Sequence, residues 1–294
     1  MKTNAIIRIV IWSLVLAILI SVLGTGLLLR SRPSSADSSF LSDGFTGSSD
    51  RILLSPAEVQ EIDIEWVAGN IVIKVADVDT IQVSDAYSAM SKHEMRWKLE
   101  DRKLSLRFGE KNAIGFGFNY GNTVSKDLTI LVPWGWECDS LKVDAASATL
   151  NVTNLVIGEM DFNGASGSCN FETCHIDKLD LDTASGDIYF TGSLTTLDCD
   201  AVSASVSAVF YDIPRQIDMD SMSGDLDISL PSHAGFTVDM DALSGDFICE
   251  FDYAQNQDGS YTHGDGKCRI TLDAMNGDLY IREHKSAEAA PETR

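Results

Sequence analysis

The strongest constraint on this chain is a cassette that returns along it: LDLDTASGDIYF at 179–190, IDMDSMSGDLDI at 217–228 and VDMDALSGDFIC at 238–249. Aligned on the Ser-Gly turn, the repeat places Ser147, Ser166, Ser185, Ser203, Ser223, Ser244 and Asn276 in one column, with spacings of 19, 19, 18, 20, 21 and 32. Positions six and four before the turn and three and five after it, such as Leu179, Leu181, Ile188 and Phe190, are apolar in all 28 instances, against 44% for the whole chain. Alternation with period two marks strands with one buried face, and no stretch between turns carries the 3.6-residue pattern of a helix. A unit of about 20 residues that cannot bury its own apolar face must stack on its neighbours. The expectation is an all-β fold, a single-chain β-solenoid of two-strand coils stacked in parallel; antiparallel hairpins in a meander or propeller blade are the competing arrangement.

An earlier copy is IDIEWVAGNIVIKV, where Ile62 and Ile64 precede Gly69 and Ile71 and Ile73 follow it, so the solenoid is expected to begin near residue 52. Strand candidates at 81–83, 95–99, 104–108 and 128–132 separate that copy from the regular coils, which start at about 139. LEDRKL reads as a hairpin turn. The 32-residue spacing leaves an insertion at 252–267 that is expected to project as a loop.

Outside the repeats, Ile9 to Leu29 is a run of 21 residues without a charge, long enough for a membrane-spanning helix. The expected plan is a transmembrane anchor at 1–30, a Ser-rich linker at 31–50, the β-repeat ectodomain at 51–283 and a polar tail at 284–294. The anchor makes the membrane a partner and places the repeat domain outside the cell, with the N-terminus inside. A formal charge of −22 argues against nucleic acid, whose phosphates need clustered Lys and Arg.

The SGD cassettes, the opening IDIEWVAGNIVIKV, the phrase LTILVPWGWECDSLKVDAAS and the closing GDGKCRITLDAMNGDLYI resemble the bacterial "putative adhesin" family of β-strand-repeat domains, in its membrane-anchored Gram-positive form. The resemblance covers residues 51–283. It implies a repetitive all-β domain outside the membrane and supplies no catalytic residues.

Five and three residues before each turn the side chains point outward, and eleven of these fourteen positions are Asp. In a parallel stack, strands lie about 4.8 Å apart, so the carboxylates form two like-charged columns. An Asp just before a tight turn can accept turn N–H groups, which is the expected role of the inner column. The rival role is calcium binding, with Asp180, Asp182, Asp198, Asp200, Asp218, Asp220, Asp239 and Asp241 as candidate ligands. The turn glycines suit a positive φ or close backbone approach, and Ala148 and Ala204, which replace Gly in two coils, imply a different turn there.

The six cysteines show no C-x-x-C; Cys169, Cys199 and Cys249 fall in core columns, and only Cys249 and Cys268, flanking the long insertion, suggest a pair. No HExxH, GxSxG or P-loop is present, and the aromatics Phe116, Phe118, Tyr120, Trp134 and Trp136 suit core or capping roles. The reading is therefore a non-enzymatic, membrane-anchored cell-surface module, adhesin-like or an envelope scaffold, with no cofactor and no small-molecule substrate, meeting envelope protein or polysaccharide. The alternatives are a β-helix hydrolase or lyase acting on polysaccharide, and a calcium-binding surface module.

Overall fold

Each cassette forms two short strands that meet at the Ser-Gly turn, and equivalent strands hydrogen-bond from one cassette to the next. A computed structural model describes residues 47–48, 51–86, 94–109 and 125–284, and joins its strands into one continuous 20-stranded sheet. Pairing between cassettes is parallel: Cys169–Ser185 lies on Ile188–Ser203 with Leu179 opposite Leu197 and Leu181 opposite Cys199. The parallel solenoid is thus realised rather than the antiparallel meander. The early copy obeys the same register, with Ile62 opposite Leu141, Gly69 opposite Ala148 and Ile73 opposite Val152. Core positions are sealed; Leu179, Ile217, Leu226 and Ile228 all show 0% exposure. The segment expected to span the membrane lies outside the described residues, among which no helix is long and apolar enough to cross one.

Spatial order departs from chain order at both ends. Glu61–Ala76, the first cassette, is the second rung in space, with Lys103–Arg107 and Leu128–Pro133 on one side and Glu137–Thr153 on the other. At the far end the last cassette, Cys268–Asn276 with Leu279–His284, inserts between Gln216–Ser223 with Leu226–Pro231 and the outermost rung, Phe236–Ser244 with Phe247–Cys249. Every rung offers the same apolar pattern and the same backbone edge, so the sequence motif does not say which rung sits beside which.

The ends are closed unequally. On the N-terminal side, Arg96–Glu100 covers Lys103–Arg107 and Ile81–Asp85 covers Leu128–Pro133, both antiparallel, and Arg51–Leu54 is added to Ile81–Asp85. Residues 51–54 are therefore part of a cap, and the first rung-forming strand begins at Glu61. The LEDRKL turn is the expected hairpin, and its loop is two residues long, with Asp101 at φ 51° and Arg102 at φ 66°, the pair of left-handed residues that matches strand twist. On the C-terminal side the insertion does not simply project. Tyr261–His263 folds back antiparallel onto Phe236–Val238, with Ala254–Gln255 beside it.

Two features fix the stack. The turn glycines form a column in which backbones touch: a Cβ on Gly186 would lie 2.0 Å from the Gly167 carbonyl oxygen, and one on Gly167 would lie 2.0 Å from that of Ala148. Gly167 and Gly186 also adopt φ of +125° and +129°, which side chains disfavour. Ala148 and Ala204 are absent from the positive-φ positions, but so are the turn glycines Gly224 and Gly277, so a turn without positive φ is not peculiar to the two Ala coils. We predict that Gly186→Ala lowers stability by at least about 2 kcal/mol, whereas Ala148→Gly changes it by no more than about 1 kcal/mol; chemical denaturation of both variants checks the contrast.

The second feature is a buried ion pair inside the N-terminal cap. Lys126 Nζ donates to Asp85 Oδ2 and to the Phe108 carbonyl, each at 2.7 Å, and the two charged side chains are 0% and 1% exposed. The ammonium also faces the rings of Trp66 and Phe108, each 4.7 Å away, while Trp66 Nε1 donates to the Lys126 carbonyl at 2.8 Å. Burial holds the Lys126 pKa below its ordinary value. Asp85→Ala strands this ammonium in an apolar site and is expected to cost about 3–5 kcal/mol. Adding Lys126→Met to Asp85→Ala should recover most of that loss in a double-mutant cycle.

Candidate functional site

The outward columns become a carboxylate ladder. In spatial order the column five residues before the turn reads Asp63, Lys142, Asp161, Asp180, Asp198, Asp218, Thr271, Asp239. The column three before the turn reads Glu65, Asp144, Asn163, Asp182, Asp200, Asp220, Asp273, Asp241. Insertion of the last cassette is what brings Asp273 between Asp220 and Asp241.

Neutralisation along the ladder is lopsided. At the N-terminal end Arg107 grips Glu65 through two bonds of 2.8 and 3.2 Å, Lys103 Nζ stands 2.9 Å from Asp63 Oδ2, and Lys142 stands 3.6 Å from Asp144. Lys178 bridges Asp180 and Glu159 in the middle. The ion pairs found among the described residues reach neither Asp182 on that same rung nor, beyond it, any of Asp198, Asp200, Asp218, Asp220, Asp273, Asp239 or Asp241. Partial burial and the neighbouring carboxylates raise the pKa of Asp182, Asp198 and Asp220, and push Asp200 and Asp273 up to about 6. Asp144 is raised mainly by burial, against the pull of Lys142 and Asn163.

The expected turn-capping role of the inner column falls to other residues. Among the described hydrogen bonds, none runs from a turn N–H to Asp182, Asp200, Asp220, Asp241 or Asp273. The Asp that follows the Ser-Gly pair does this work between rungs instead: Asp225 Oδ1 accepts the Asp278 N–H at 2.9 Å, and Asp278 Oδ1 accepts the Asp246 N–H at 2.8 Å. Asp127 Oδ1 likewise accepts the Asn70 N–H at 2.8 Å. That third letter of SGD was legible in the repeat, but a side chain reaching across to a neighbouring turn requires knowing which turn is the neighbour.

Other expected sites resolve as follows. No group of three or more His, Cys, Asp or Glu side chains converges in metal-binding geometry among the described residues, and the eight candidate aspartates run along the stack instead. Cys249 and Cys268 are free and lie on adjacent rungs, with Cys249 opposite Ile281 and Cys268 opposite Phe236. Burial pushes the thiols of Cys138, Cys199 and Cys268 up to about 12, so they remain protonated packing groups. Trp136 is buried and donates to the Val59 carbonyl at 3.1 Å, whereas Trp134 is 69% exposed. These two tryptophans, with Pro56, Asp77, Val78, Asp79, Pro133 and Gly135, line an open depression of about 490 Å³. Phe116, Phe118 and Tyr120 lie outside the described residues.

The class this defines is a repetitive parallel β domain that displays a graded carboxylate ladder on one face, closed by several antiparallel strands at one end and by a single hairpin at the other. The chain belongs to the Toastrack DUF4097 family, whose model matches residues 59–282. No curated protein matches it. It is similar to a "putative cell adhesion protein" from Clostridium sporogenes at 12% identity, covering 80% of this chain and 98% of that one, with a TM-score of 0.39. A "putative adhesin" from Bacteroides fragilis is 13% identical over 80% of this chain and 98% of that one, with a TM-score of 0.42. A "putative lipid binding protein" from Parabacteroides distasonis is 14% identical over 80% and 95%, with a TM-score of 0.34.

The raised carboxyl values have a definite sign in stability. Asp200 and Asp273 hold protons more tightly when folded than when unfolded. Their contribution is complete below about pH 4, the ordinary Asp value, and is lost as pH rises through about 6. Asp278 acts oppositely, because the Asp246 N–H holds its carboxyl low and its contribution is lost on acidification. Tm is therefore expected to rise from about pH 7.5 to about pH 5 and to fall at lower pH. Asn163 shows the neutral solution to the crowding, donating to Asp144 at 3.1 Å and Asp161 at 2.9 Å. Asp200→Asn should stabilise by about 0.5–1 kcal/mol at neutral pH and flatten this pH dependence.

Proposed function

We propose that this protein is a non-enzymatic interaction module of the bacterial cell surface, held by its N-terminal apolar segment and presenting the repeat domain outside the membrane on the Ser-rich tether. The observation that carries the reading is the far half of the ladder, where Asp182 to Asp241 stand in register on a paired sheet without basic partners among the described residues. A periodic array of like charges held by backbone pairing is suited to a cationic partner that replaces the screening supplied by salt, and the potential reaches about one Debye length, 8 Å at physiological ionic strength. An active site, by contrast, is a local exception to a repeat, with convergent groups of unlike pKa. The ladder instead repeats an aspartate on every rung from Asp180 to Asp241. Envelope protein or polysaccharide bearing amino groups is the class of partner this face fits.

The full chain is expected to bind a cationic probe such as poly-L-lysine with an affinity that falls steeply with salt. Replacing Asp198, Asp200, Asp218 and Asp220 together by Asn should weaken it by about tenfold or more. Sodium and calcium at matched ionic strength should stabilise the fold equally; stoichiometric calcium binding lost in Asp180→Ala would instead establish a metal-dependent module. Shortening of an envelope glycan by the purified chain would establish the hydrolase or lyase. External protease on intact cells should remove the repeat domain, and full protection would reverse the topology.

A further inference from the structure

The two ends of the stack differ in how completely the core is covered. At the N-terminal end the last parallel strand, Lys103–Arg107, seals the core with Leu104 and Leu106 at 0% and 1% exposure. At the C-terminal end the outermost rung is left incomplete. Its inward residues Met240, Ala242, Phe247 and Cys249 are only half-buried, although Met219 and Leu272, the equivalents of Met240 on the two preceding rungs, are at 0%. Tyr261 stacks on Phe247 with ring centroids 4.6 Å apart and Tyr253 packs against it at a tilt, 5.2 Å away, while Met240 stays half-buried. Leu243 and Ile248, beside it, are 46% and 48% exposed.

The backbone is open in the same place. Phe236–Ser244 is paired on its outer side only over residues 236–238, and Phe247–Cys249 has only Leu279–Ile281 as a partner among the described residues. An unpaired edge above half-covered core residues is a template for one more strand.

The chain itself displays what such a strand must carry. Lys103–Arg107 lies parallel on Glu61–Glu65, with Leu104 over Ile62 and Leu106 over Ile64, and with Lys103 and Arg107 on the carboxylates of Asp63 and Glu65. The open rung repeats that surface. Asp239, Asp241 and Met240 occupy the places that Asp63, Glu65 and Ile64 hold on the early rung; Val238, the equivalent of Ile62, is already covered by Tyr261, so the free stretch offers Met240 and Ala242 as its inward pair. We propose that the outer edge of Asp239–Ser244 and Phe247–Cys249 binds an extended strand of a partner protein with apolar residues at alternate positions and Lys or Arg between them, adding a further rung to the solenoid. This rests on the surface-module reading above and names the partner chemistry for one end of it.

The probe is a synthetic peptide with the sequence of residues 102–108, RKLSLRF, titrated against the full chain by fluorescence anisotropy. Saturable binding is expected, weakened about tenfold or more by placing Glu at the Lys103 and Arg107 equivalents. Alternate N-methylation, which removes main-chain donors, should weaken it similarly. Asp239→Asn with Asp241→Asn should lower affinity while circular dichroism melts do not fall, because removing two carboxylates beside Asp273 relieves repulsion. Undiminished binding of the N-methylated peptide would overturn strand addition. Binding that appears only after removal of residues 285–294 would assign the edge to the chain's own tail, and displacement of a self-associated form would assign it to a second copy; either result overturns the proposal. If the peptide fails while poly-L-lysine still binds in a ladder-dependent way, this inference falls and the surface-module reading stands.

Discussion

Backbone contact at the Ser-Gly turn sets the terms for the rest of this molecule. Parallel strands stack at hydrogen-bonding distance only if the corners stack as closely, and here each corner rests on the carbonyl of the one below, 2.0 Å from where a Cβ would stand on Gly167 or Gly186. Such corners admit little but glycine or alanine, and they hold every cassette in one register. Register in turn fixes which side chains repeat above each other. The apolar columns then close into a continuous core, and whatever residue occupies an outward position is multiplied along the stack.

That multiplication explains the ladder. A single Asp before a turn is unremarkable, but the same Asp on successive rungs creates a row in which partial burial raises the pKa and neighbouring carboxylates raise it further. The chain relieves the repulsion at one end with Arg107, Lys103, Lys142 and Lys178 and in one place with the amide of Asn163. It leaves the other half charged. Random drift in a surface would scatter basic residues among the acidic ones, so the gradient from paired to unpaired carboxylates along one axis gives the molecule a direction.

The strands, core columns and turn positions were readable from the sequence because they depend on local alternation, and Leu181 or Ile228 carries that signal in its immediate neighbours. Spatial order was not, because Gln216–Ser223 would accept Phe236–Ser244 as readily as Cys268–Asn276 by pattern alone. Only the 32-residue spacing hinted at the exchange. The capping role was assigned to the wrong aspartate for the same reason: Asp225 and Asp278 bond to turns that are neighbours in space but 53 and 32 residues apart in sequence. Lys126 gave no signal at all, since a Lys beside a strand ordinarily reads as solvated, and its partners Asp85, Trp66 and Phe108 come from three separate segments.

Exchange of rungs at both ends has a structural consequence of its own. A solenoid that ended on its first and last cassettes would leave its chain termini fraying at open edges. Tucking each terminal cassette one place inward clamps it between two neighbours, so that Glu61–Ala76 and Cys268–Asn276 are paired on both sides. The edges are then formed by internal segments, which can be closed by antiparallel strands, as 51–54, 81–85 and 96–100 do, or left partly open, as 239–249 is. Because the clamped cassettes carry the fold, the outermost rung is free to differ from its neighbours in exposure without endangering the stack. The incompletely covered edge and the uncompensated end of the ladder fall on that same rung, which makes it the part of the solenoid best placed to recognise another chain.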